Sequence, residues 1–89
     1  MLEYHAAYFQ SREDDGWYIA DVLDFPGVFS QGKTLKSARW MIRDALRLML
    51  EWYLKDGKPL PRPNPRARRK RAKFTEKIRV QVRLSRKER

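Results

Sequence analysis

Between Thr34 and Gly57 the chain runs without a single proline or glycine. An uninterrupted stretch of that length is too long for one strand of a small domain, so it predicts a helix. Thr34 stands at the N-cap position, its hydroxyl free to accept a backbone N–H of the first turn. Gly57 is a natural C-terminal stop, which sets the helix at about Leu35 to Lys55. At ~100° per residue, Ala38, Met41, Ile42, Ala45, Met49 and Trp52 share a wide apolar face, flanked by Leu46, Leu48 and Tyr53. That face is expected to cover a sheet. On the opposite side Trp40, Arg43, Arg47, Leu50 and Leu54 follow the alternating three-and-four spacing of a helix-pairing seam. A lone monomer would keep that side polar, so the seam predicts a homodimer or higher homo-oligomer.

The segments around the helix read as strands. Residues 2–10 are rich in aromatics and lack turn formers. Asp15-Gly16 is a hairpin turn signal, and residues 17–22 read as the returning strand. Tyr18, Ala20 and Val22 then share one face, opposite Trp17, Ile19 and Asp21. Pro26-Gly27 reverses the chain into a short third strand, Val28 to Gln31. Four prolines in residues 58–65 admit neither helix nor central strand, so this part reads as an extended connector. Arg66 to Lys73 is a basic cluster without an evident core face. Within 74–85 the chain alternates strictly from Lys77 to Leu84, with Ile78, Val80, Val82 and Leu84 facing one way. The order is β-β-β-α-β, a two-layer α+β domain spanning 1–89: a scaffold over 1–57, a connector over 58–73 and a final strand.

Charge divides at the connector. Residues 1–57 carry seven Lys/Arg against nine Asp/Glu, and residues 58–89 carry fourteen against two. An acidic-leaning front and a strongly basic rear suggest two different partners. The chain has no cysteine, which excludes disulfides and thiolate metal sites. It shows no apolar run long enough to span a bilayer and no signal-peptide layout, so a cytoplasmic protein without membrane contact is expected.

The stretch from Asp15 to Ala38, DGWYIADVLDFPGVFSQGKTLKSA, resembles the signature of HicB-like antitoxins. The shared elements are the Asp-Gly turn, the aromatic-led strand, Asp24-Phe25-Pro26-Gly27, Ser30-Gln31-Gly32, and Thr34-Leu35 opening the helix. With its flanking elements the similarity covers about residues 1–60. Ser37 replaces a frequent Glu, which removes the reciprocal capping box. Leu23 and Val28 replace a frequent proline and cysteine. The resemblance implies a pared-down RNase H-like fold and a HicA-type toxin as partner, a small basic RNA-cleaving protein. Longer relatives add a DNA-binding module at the C-terminus. The few residues after Leu84 are too short for a recognition helix.

The devices of the signature shape backbone and place no nucleophile. Asp21, Asp24 and Asp44, with Glu13, Asp14 and Asp15, are the carboxylates a metal nuclease would use. Turn acids are usually solvated, however, and Asp44 has Arg43 and Arg47 beside it. His5 is the only histidine and reads as a structural strand residue. No phosphate loop, zinc spacing or nucleophile elbow occurs. The expectation is a binding protein with no catalytic residues, cofactor, metal or small-molecule substrate. Against a basic toxin, Glu13, Asp14, Asp15, Asp21 and Asp24 are the expected contacts. The alternative is DNA or another nucleic acid, held by Arg66, Arg68, Arg69, Lys70, Arg71, Lys73, Arg79 and Arg83. A third reading is a solitary oligomeric scaffold without a toxin.

Overall fold

The computed structural model describes residues 2–13, 16–69 and 72–80. Four strands and one helix follow the expected order: β1 (Leu2–Gln10), β2 (Tyr18–Val22), β3 (Phe29–Gly32), α1 (Leu35–Lys55) and β4 (Phe74–Val80). The strands form one antiparallel sheet in the order β3-β2-β1-β4. The β1–β2 register sets Ala6 opposite Val22 and Tyr8 opposite Ala20, and β4 sets Ile78 opposite Tyr4. Because side chains alternate along a strand, these residues share one face, and α1 lies on it. This is the α+β architecture expected. The last strand begins at Phe74, and Gln81, Val82, Arg83 and Leu84 lie outside the described residues.

Local chemistry fixes both helix ends. Thr34 Oγ1 accepts the Ser37 N–H at 3.0 Å. At the other end the Gly57 N–H bonds the Leu54 carbonyl, and the Lys58 N–H bonds the Tyr53 carbonyl at 2.9 Å. These two bonds make a Schellman closure that satisfies carbonyls the helix leaves unpaired.

The buried face of α1 is rotated from the expected one. Ala38, Ile42, Leu46 and Leu50 are buried, whereas Met41, Leu48 and Trp52 stand 40%, 52% and 68% exposed. Successive i, i+4 steps drift around the helix, so a helix crossing a twisted sheet meets it along an inclined ridge. That ridge brings Leu50 into the core at 4% exposure. The expected exposed seam is therefore corrected. Leu50 faces inward and Leu54 is half-buried. Arg43 reaches Glu76 on β4, and Arg47 pairs with Asp44 and Glu51 on its own helix. Of the seam's apolar residues only Trp40 stays well exposed, at 65%.

The connector does more than link α1 to β4. Leu60 packs against the core, and Tyr4 Oη donates to the Pro61 carbonyl at 2.7 Å. Beyond it the Asn64 N–H reaches the Asp24 carboxylate, and Arg69 lies over the Phe9 ring on the opposite side of the sheet. The Lys73 N–H then bonds the Tyr8 carbonyl and delivers the chain into β4. The connector thus wraps from the helix side to the outer face, and Ala7 on that face is fully buried.

Candidate functional site

Asp24 sits in the turn between β2 and β3, where its expected role was solvated contact with a toxin. It is buried instead, at 8% exposure. Its Oδ1 accepts the His5 backbone N–H at 2.8 Å. Its Oδ2 accepts from His5 Nδ1 and from the Asn64 N–H, both at 2.8 Å. Acceptance by a carboxylate places the imidazole proton on Nδ1. The His5 Nε2 is buried without a hydrogen-bond partner among the described residues. One side chain therefore ties β1, the β2–β3 turn and the connector together. This correction removes Asp24 from the partner surface.

The other acidic residues divide. Asp21 is paired with Arg69 at 2.8 Å. Glu13, at the β1–β2 turn, is exposed, and Asp14 and Asp15 lie outside the described residues. Asp21, Asp24 and Asp44 are each held by different partners, and among the described residues no three potential ligands gather for a metal ion.

A second polar cluster fastens β4 to the helix. Glu76 accepts the Tyr8 hydroxyl at 2.5 Å and pairs with Arg39 at 3.0 Å and Arg43 at 3.5 Å. Burial pushes the Glu76 carboxyl up, but the Tyr8 hydrogen bond and the two guanidiniums outweigh it and hold it below its ordinary 4.5. Burial, then the bond to Glu76, pushes the Tyr8 hydroxyl well up. A carboxyl depressed in the folded state stabilises it above its unfolded value and loses that stabilisation as pH falls through the folded one. The midpoint of thermal unfolding is thus expected to drop as pH falls below 4.5. Glu76→Gln should flatten that part of the profile, as calorimetry at stepped pH can check.

Among the described residues, two open surfaces bear on binding. On α1, Ala45, Leu48, Met49 and Trp52 line a groove of about 520 Å³ with Glu51 and Lys55 at its rim. On the outer sheet face, Phe9, Gln10, Arg12 and Lys73 line a recess of about 710 Å³. The expected basic set spreads across several environments. Arg66 and Lys73 are exposed, Arg68 donates to the Pro65 and Ala67 carbonyls, and Arg69 and Arg79 pair with Asp21 and Glu3. Lys70, Arg71 and Arg83 lie outside the described residues. No helix among the described residues is long and apolar enough to cross a membrane. Sequence reasoning missed His5, Asn64, Tyr8 and Glu76 as a polar framework, since each finds its partner on a distant element.

Comparisons with known proteins agree with the fold. The family model described as the HicB-like antitoxin of bacterial toxin–antitoxin systems matches residues 5–88. A UPF0150 protein of Thermoplasma acidophilum is 39% identical over 54 residues, which are 61% of this chain and 78% of that one. Antitoxin HicB of Escherichia coli K12 is 31% identical over 51 residues, 57% of this chain but only 37% of that longer protein. The crystal structure of the N-terminal domain of Burkholderia pseudomallei antitoxin HicB superposes with a TM-score of 0.75 at 23% identity. That superposition covers 91% of this chain and all of the other, and it carries the fold. With the family model matched over nearly the whole chain and the same fold in that HicB domain, the chain belongs to the HicB-like antitoxin family of bacterial toxin–antitoxin systems.

Proposed function

We propose that this chain neutralises a HicA-type mRNA-cleaving toxin in the cytoplasm by binding it, and that it does so as a homo-oligomer. The observation that carries the reading is the family match over residues 5–88. Membership suggests a regulatory role without catalysis of its own. Toxin contact is assigned to the acidic turn, Glu13 with Asp14 and Asp15, because Asp24 is committed to the interior and Asp21 to Arg69. A negatively charged turn steers a basic RNA-binding partner. Co-purification with the HicA-like product of a neighbouring gene tests this. A complex weakened by reversing the three turn charges is the expected result, and no complex with any such toxin overturns it.

The self-contact is assigned to the exposed row Met41, Leu48 and Trp52 on α1. Adjoining large apolar side chains left in water favour burial against a second surface. Leu48→Glu leaves the core untouched, since Leu48 is 52% exposed. It is expected to lower the mass seen by light scattering to that of one chain, 10.8 kDa. A wild-type protein already at that mass, or a variant of unchanged larger mass, counts against this face.

A further inference from the structure

The side of the sheet away from α1 has a composition unlike the rest of the molecule. Strand register places Phe9 opposite Ile19, Ile19 opposite Gln31, and Phe29 opposite Asp21 on this face. Phe29 is 69% exposed and Ile19 37%. With strands ~4.8 Å apart and a rise of ~3.3 Å per residue, Phe9 and Phe29 stand about 12 Å from each other. Away from the Glu13 turn, the charge left unpaired around them is positive. The acids of this face, Glu3 and Asp21, are already paired with Arg79 and Arg69. Arg12 and Lys73, which line the recess beside Phe9, and Lys77 on β4 have no ion-pair partner among the described residues.

We propose that this outer face binds single-stranded nucleic acid, with bases stacking on Phe29 and on the Arg69–Phe9 pair and phosphates held by Arg12, Lys73 and Lys77. The Arg69 guanidinium lies 5.4 Å from the centre of the Phe9 ring, held there by Asp21. With the Arg69 side chain 56% exposed, the pair is within reach of a base. A four-stranded sheet presenting aromatics in this way offers platforms for two or three unpaired bases. A duplex keeps its base faces stacked inside and could use only the cations. A second copy pairing through this same face would set Arg12, Lys73 and Lys77 against their own counterparts, like charge against like. The inference is independent of the toxin reading, which uses the acidic turn.

The test is fluorescence anisotropy of a labelled twelve-nucleotide uridine RNA with the full chain over a range of salt. Affinity should fall with salt at a log–log slope of about −2, that is about −0.7 for each of three phosphate contacts. Lys73→Glu should make the slope shallower. Phe29→Ala should weaken binding about tenfold while Phe29→Tyr retains it, because stacking needs the ring. A deoxythymidine strand should bind within a few-fold of the RNA, because none of these contacts reads the sugar. No binding of the RNA, an unaltered affinity in Phe29→Ala, or equal affinity for a duplex of the same length each overturns the proposal. So does a Phe29→Ala variant whose oligomeric mass changes, since the face would then join copies of the chain.

Discussion

Replacing Asp24 with alanine is expected to lower the midpoint of thermal unfolding by about 15–30 °C. The carboxylate accepts three hydrogen bonds at 2.8 Å inside the protein, from the His5 N–H, the His5 ring and the Asn64 N–H. Its removal strands donors that water cannot readily reach, at a cost of about 3–5 kcal/mol. A domain of this size has roughly 4–13 kcal/mol to lose, so the variant should be close to unfolding at 37 °C. Asp24→Asn keeps an acceptor for the His5 N–H and should cost roughly half as much. The Asn64 tie is also lost in the alanine variant, so trypsin should cut the arginine-rich connector faster. A midpoint within a few degrees of wild type, with unchanged proteolysis, would show that Asp24 is not the anchor.

The second large effect is expected at Gly32. Its backbone passes so close to the first turn of α1 that an added Cβ would lie 2.6 Å from the Ala38 nitrogen and 2.9 Å from the Ser37 carbonyl carbon. Those are backbone atoms of a capped helix and cannot swing aside as a side-chain tip would. Gly32→Ala should therefore push α1 off the sheet or distort β3, costing about 2–3 kcal/mol. Gly27→Ala is the informative comparison. Its Cβ would meet nothing within 4 Å, and only the positive φ of 89° opposes it. About 1 kcal/mol is expected there. Urea midpoints of the two variants decide it, and a smaller loss at Gly32 than at Gly27 would contradict the close approach.

The elements were largely legible because their signals are local. Thr34 and Gly57 close the helix through partners within four residues. Alternating side chains in β2 and around Ile78 sort themselves without knowledge of the rest of the chain. The inward face of α1 was less legible. Periodicity shows that an apolar stripe exists, and the sheet's twist decides which rows of it are covered. Leu50 went to the core and Trp52 to the surface for that reason. The site was least legible. Asp24 reads as a solvated turn acid until His5 and Asn64 are beside it, and the basic connector reads as a tail until Arg69 is found over Phe9.

The sequence by itself determined the order of elements, the ends of the helix and the family signature around Asp24 to Leu35. Each depends on bonds or steric limits acting over a few residues. Only the tertiary structure decided which acids are free, which helix face is open, and where the basic residues gather. Those outcomes rest on contacts such as Tyr8 with Glu76 and Arg69 with Asp21, which lie 68 and 48 residues apart in the chain. Side chains so far apart interact only once the sheet and helix have enclosed them, and no local pattern encodes that meeting.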